Sequence, residues 1–190
     1  MKKPALLIID MQNDFVLEGA PLHIPGAADV IAQIQAVRDV FLTANLPIIH
    51  VMRIHRPDGS DVEISRRNLF LRTPFAVEGT EGVKVIRELT PKEGEFIITK
   101  TRMSAFLFTE LDLLLRSIDA DGVVVTGIQT PNCIRATVFD AFAYNYETWL
   151  VDDAVTAKTL DIHRDNVRDM ENIGTRIITS DEVPVLLAGF

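Results

Sequence analysis

Asp10, Lys100 and Cys133 each stand where an apolar run ends or just beyond one. A carboxylate can take a proton, an ammonium can hold that carboxylate in place, and a thiol can attack an electrophilic carbon. Together they are a sufficient set for acyl transfer through a covalent intermediate. Each also has an ordinary explanation. An aspartate after a strand often caps the next turn, or binds a sugar hydroxyl or a metal. A lone lysine is usually a solvated cation, and a lone cysteine a small buried hydrophobe. Their joint placement decides, and that placement depends on the elements that carry them.

Six apolar, β-branched runs recur along the chain: "ALLIID" to Asp10, "PIIHVMR" to Arg53, "EFIITK" to Lys100, "GVVVTG" to Gly127, "TWLVDD" to Asp152 and "RIITS" to Ser180. Continuous runs of this kind suit strands buried on both faces. The segments between them carry helical stripes: Val30, Ile34, Val37 and Phe41; Leu107, Leu111, Leu114, Leu115 and Ile118; Ile134, Val138, Ala141 and Phe142; and a weaker pattern from Leu160 to Ile173. "PKEG" and "DADG" mark turns before the third and fourth runs. Alternating strands and helices with right-handed crossovers predict one α/β domain over 1–190, a doubly wound, six-stranded parallel sheet in the order 3-2-1-4-5-6 with helices on both faces. In such a sheet ligands bind outside the carboxyl ends of the strands, at the switch between strands 1 and 4. Asp10, Lys100 and Cys133 all fall on that edge.

Cys133 is the chain's one cysteine, in "TGIQTPNCIRATVFDAF". Pro131 suits a first helical position, which places Cys133 in the first turn. Unpartnered N–H groups and the positive end of the helix dipole there are expected to lower a thiol pKa. They also favour negative charge forming on a substrate oxygen. A sharp turn at a strand end exposes its nucleophile, as in a nucleophile elbow.

The segment from Arg53 to Thr80 has little regular pattern and carries five arginines. A connection of this length is usually functional or disordered. It reads either as a solvated loop or subunit contact, its arginines paired with Asp58, Asp61 and Glu63, or as a lid whose arginines, Arg53 and Arg56 first among them, or His55 touch substrate.

The chain has 190 residues, 47% of them hydrophobic, and a net charge of −8. No basic run stands out, so neither nucleic acid nor an anionic membrane surface is an expected partner. The apolar run at the start meets Asp10 too soon for a signal-peptide core, and nothing approaches a membrane span. One cysteine makes no internal disulfide. The expectation is a soluble cytoplasmic protein. "DMQNDF" after the first strand has no glycine-rich phosphate cradle.

At "LLIIDMQNDF", "IITKTRMSAF" and "VVTGIQTPNCIRATVFDA" the sequence resembles the isochorismatase-like cysteine hydrolases over nearly its whole length. The resemblance implies a Rossmann-like sheet and an Asp10–Lys100–Cys133 triad. It implies a cis peptide at Ile128–Gln129, an oxyanion hole from the N–H groups of Gln129 and Cys133, and homodimers or homotetramers. It implies a C–N bond hydrolase with a Cys133 thioester. Phe15 resembles a pocket-wall aromatic of the family; an ordinary core phenylalanine is the other reading.

Departures narrow the subfamily. Nicotinamidase members carry a metal-binding Asp-x-His after strand 2, where this sequence has Arg53-Ile54-His55 and no further histidine until His163. His55 alone cannot hold an ion that needs about three protein ligands, so neither metal nor other cofactor is expected, and nicotinamide is a doubtful substrate. His50, within strand 2, reads as structural. Isochorismatases proper cleave a vinyl ether without the cysteine, which the complete triad argues against. "HRPDGSDVE", "TPFAVEGT" and "GIQTPNCIR" resemble members acting on small ureides or amides. Three rivals stand beside this reading: an aspartate phosphotransfer domain, which wants a second aspartate where Gln12 lies; a redox-sensing thiol; and a catalytically idle binding scaffold of the same fold.

Overall fold

The computed structural model describes residues 3–188. Its parallel strands are β1 (Pro4–Ile9), β2 (Ile48–Arg53), β3 (Phe96–Lys100), β4 (Gly122–Ile128), β5 (Glu147–Thr156) and β6 (Arg176–Ile178), in the order β3-β2-β1-β4-β5-β6. This is the expected order. Alternate residues of β1 enter opposite cores. Leu6 and Ile8 pack with Phe15 and Val16 of α1 (Asn13–Val16) and with Ile34, Val37 and Phe41 of α2 (Ile31–Thr43). Ala5, Leu7 and Ile9 pack with Leu111 and Leu115 of α4 (Leu111–Ser117) and Val138 and Ala141 of α5 (Arg135–Ala143). Burying each large apolar side chain contributes about 1.5–3 kcal/mol. Helices on both faces thus explain why β1 and β4 read as unbroken apolar runs. α6 (Leu160–Asn172) buries Met170 on the second face, and α7 (Val183–Leu187) buries Val183 on the first.

Three expectations are corrected. The 53–80 connection contains α3 (Ile64–Arg72), a helix hidden from periodicity because it buries only Phe70. α4 begins at Leu111 rather than Leu107, since Phe108 is left-handed (φ 60°) and 86% exposed. β5 runs on past Asp152 to Thr156, where it pairs with Ile128.

β3 lies at the sheet edge and exposes Phe96 and Ile97, so its apolar run is not buried on both faces. It is secured by Glu95, which takes hydrogen bonds from the Arg38 guanidinium, from Lys92 N–H (2.8 Å) and pairs with His50 Nε2 (2.9 Å). Burial raises the Glu95 pKa, but these donors outweigh it and hold the carboxyl at about 2, below its ordinary 4.5. Removing one partner of a buried pair typically costs about 3–5 kcal/mol. Glu95→Gln is expected to lose that much in urea unfolding at neutral pH. The sign follows from the depressed pKa: the stabilisation is whole above pH 4.5 and fades as pH falls toward 2. The gap between wild type and variant should close over that range. A constant gap would assign the loss to packing alone.

Candidate active site

Asp10 follows β1 with a left-handed backbone (φ 54°). Aspartate tolerates that region better than most residues, though such backbone still costs about 1–3 kcal/mol. Asp10 N–H donates to Val51 O (2.9 Å), which fixes it against β2. Beside it, buried Gln12 joins two strand ends: its amide donates to Arg53 O (2.8 Å) and Val83 O (2.7 Å), and its oxygen accepts Arg53 N–H (2.8 Å). Across the switch point Gly127 lets β4 approach β1, because a Cβ there would stand 2.2 Å from Ile9 O. Any other residue would push the two strand ends, and the groups they carry, apart.

Beyond β4 comes a cis peptide at Ile128–Gln129, the bond the resemblance indicated. A π-turn over Thr130–Ile134 then leads into α5. Cys133 therefore sits in a π-turn rather than in the first turn of the α-helix itself. Single π-turns of this kind often occur at functional sites. Thr137 in α5 donates to Cys133 O (2.7 Å) and accepts from Ala105 N–H (2.9 Å), tying the turn to the segment after Lys100.

These elements bring Asp10, Lys100 and Cys133 together. Lys100 Nζ donates to Asp10 Oδ2 (2.8 Å), lies 3.4 Å from Cys133 Sγ, and donates to Arg102 O (3.2 Å). All three residues are at least 94% buried. Asp10 Oδ1 is buried and has no hydrogen-bond partner among the described residues. One carboxylate oxygen is thus held by the ammonium while the other is left to accept a proton.

Arg53, at the end of β2, is 1% exposed. Its guanidinium donates to Glu63 Oε1 (3.0 Å), and Nη2 lies 3.3 Å from Met103 Sδ and 3.8 Å from Cys133 Sγ. Burial opposes its charge, but Cys133 once it is a thiolate, Asp10 and Glu63 more than offset this, and its pKa rises. The thiol moves opposite to the sequence expectation. Burial pushes the Cys133 pKa up, and the Asp10 carboxylate adds to this; Lys100 and Arg53 pull it down by less. Desolvation wins because the sulfur has almost no contact with solvent. The resting group is a thiol, and a base must take its proton.

A small cavity of about 50 Å³ opens above the sulfur. Asp10, Arg53, Gln129 and Cys133 line it, as does Phe15, which also belongs to the core and packs on Phe75. For Phe15 both sequence readings describe the same side chain. Arg56 is not brought there: it is exposed, and its N–H donates to Asp61. Arg66 of α3 lines the cavity instead. His55 lies apart from the cavity, its ring edge-on to Phe70 and Phe75 and 3.4 Å from Asp61. Gln12 and Met103 escaped sequence reasoning, and Arg66 was not singled out among the five arginines of the 53–80 connection. An arginine in the first turn of a helix opposes the dipole and was a signal for Arg66, but only once α3 is known.

The isochorismatase domain model matches residues 4–182. The chain belongs to the isochorismatase family. A curated family relative from Arabidopsis thaliana, named "Probable inactive nicotinamidase", is 38% identical over 185 residues, covering 95% of this chain and 94% of that protein. The crystal structure of an isochorismatase family protein from Desulfovibrio vulgaris is 42% identical, with a TM-score of 0.95, covering 99% of this chain and 100% of that one. N-carbamoylsarcosine amidase from Thermoplasma acidophilum is 31% identical, with a TM-score of 0.82 over 95% of this chain and 98% of its own.

One family member, a pyrazinamidase, was solved in complex with zinc. The residues here do not fit such an ion. Arg53 puts a guanidinium, ion-paired with Glu63, at the strand end, and the His55 ring is enclosed by two phenylalanines. Among the described residues no group of three or more His, Cys, Asp or Glu is placed to hold a metal. No described helix is long and apolar enough to cross a membrane.

Proposed function

We propose that this protein is a cysteine hydrolase that cleaves a C–N bond of a small amide or ureide through a thioester on Cys133, releasing ammonia or an amine. The observation that carries the reading is the single ammonium of Lys100 touching both Asp10 and Cys133 at the base of a small cavity. Asp10 takes the thiol proton as sulfur attacks the carbonyl carbon. The N–H groups of Gln129 and Cys133 receive the oxyanion. Asp10 returns the proton to the leaving nitrogen, and the C–N bond breaks. Water then attacks the thioester, giving its proton to Asp10; the acyl group leaves as an acid and the thiol is restored. Lys100 stays cationic throughout and keeps Asp10 oriented. The likeness to N-carbamoylsarcosine amidase supports a carbamoyl or amide substrate.

The name of the Arabidopsis relative favours a second reading, an idle member of the fold. An ammonia-release screen over ureides, carbamoyl compounds and small amides separates the two. The hydrolase releases ammonia from at least one class, is abolished by iodoacetamide, and keeps its activity after dialysis against a chelator. Silence across the panel supports the idle scaffold. Stoichiometric zinc or iron, with activity lost on its removal, contradicts the metal-free mechanism.

A further inference from the structure

Charge around the cavity is not balanced. Asp10 is matched by Lys100, and Glu63 by Arg53. Arg66 lines the same cavity and forms no ion pair among the described residues; its guanidinium rests on the Phe75 ring, 4.8 Å from the centroid. It also stands in the first turn of α3, directly after Glu63 and two residues, where the helix dipole disfavours a cation. Burial and neighbouring Arg53 lower its pKa, whereas Glu63, Cys133 and Asp10 only partly compensate. A position that breaks a local rule with only partial compensation inside the fold is where a functional role is expected.

Resting on the hydrolase reading, we infer that Arg66 is the subsite for a carboxylate on the substrate, so that the preferred substrates are anionic amides or ureides. A guanidinium is planar and can give two parallel donors to a carboxylate, and that of Arg66 lies over the Phe75 ring. Arg53 is less suited to the role, because Glu63 already occupies one of its nitrogens and the sulfur atoms lie against another. The apolar walls from Phe15, Leu22 and Ile24 suit the short carbon chain between carboxylate and scissile carbonyl.

Matched pairs test this: succinamate against succinamide, and N-carbamoylglycine against N-carbamoylglycinamide. A charge-assisted hydrogen bond made to one member alone corresponds to roughly a 10–100-fold preference. Wild type should favour the carboxylate member by that ratio in kcat/KM. Arg66→Met should collapse the ratio toward one, and Arg66→Lys should restore part of it. A parallel measurement does not need turnover: succinamate should raise the Tm of wild type more than succinamide does, and Arg66→Met should lose the difference. If the amides are cleaved without preference, or the ratio survives Arg66→Met, the subsite is wrong while the hydrolase stands. If no pair is cleaved but the Arg66-dependent Tm difference persists, the subsite stands and the hydrolase reading fails. Absence of both the preference and the Tm difference overturns the subsite outright.

Discussion

Cys133→Ala is expected to lower kcat/KM for ammonia release by at least about 10⁴-fold, the scale seen when a nucleophile that acts as part of a unit is removed. No second thiol exists in the chain to substitute for it. The side chain is small and only 6% exposed, so deleting its sulfur leaves a minor cavity, and the fold should persist. The neighbours gain no new burden, because Lys100 keeps Asp10 as its partner (2.8 Å) and Arg53 keeps Glu63 (3.0 Å). Thermal unfolding should therefore change little while turnover is lost. A variant that unfolds early would make the kinetic loss uninformative, and circular dichroism at the assay temperature checks this.

When Asp10 and Lys100 are changed together, stability and activity should part company. Asp10→Asn keeps the shape of the side chain and removes the base, with an expected loss of about 10²–10⁴-fold. Lys100→Met removes the only ammonium touching Asp10 among the described residues, leaving a carboxylate that is almost fully buried and unpaired. Stranding one charge of a buried pair typically destabilises by about 3–5 kcal/mol. In the double variant both charges are gone. Stability should recover above that of Lys100→Met, because a neutral buried pair has no uncompensated charge. Activity should not recover, and should be scarcely worse than that of the poorer single variant. Unfolding curves and ammonia-release kinetics on the same four proteins read both effects. Losses in activity that multiply would mean that the two residues act independently and are not one catalytic unit.

The strand order and the ends of β1, β2 and β4 followed from the sequence because burial on both faces leaves continuous apolar runs there. The convergence of Asp10, Lys100 and Cys133 followed from that order, since all three belong to carboxyl ends on either side of one switch point. What the sequence hid are features without a periodic or local signature. α3 carries one buried apolar residue, Phe70, and so presents no stripe. Arg53 and Arg56 look alike in sequence, yet one ends a strand beneath the cavity and the other is exposed. Gln12 gains its bracing role only through contacts with Arg53 and Val83, far along the chain. The direction of the Cys133 pKa was misjudged because helix ends are visible in sequence and desolvation is not.

Intact-protein mass spectrometry during turnover of a slow amide tests the covalent mechanism most directly. The account predicts a species heavier than wild type by the substrate less its amine, discharged by hydroxylamine as a thioester is. Peptide mapping should place it on Cys133, and Cys133→Ala should show none of it. Near wild-type ammonia release by Cys133→Ala on the same substrate, or an acyl group mapped elsewhere, would contradict it.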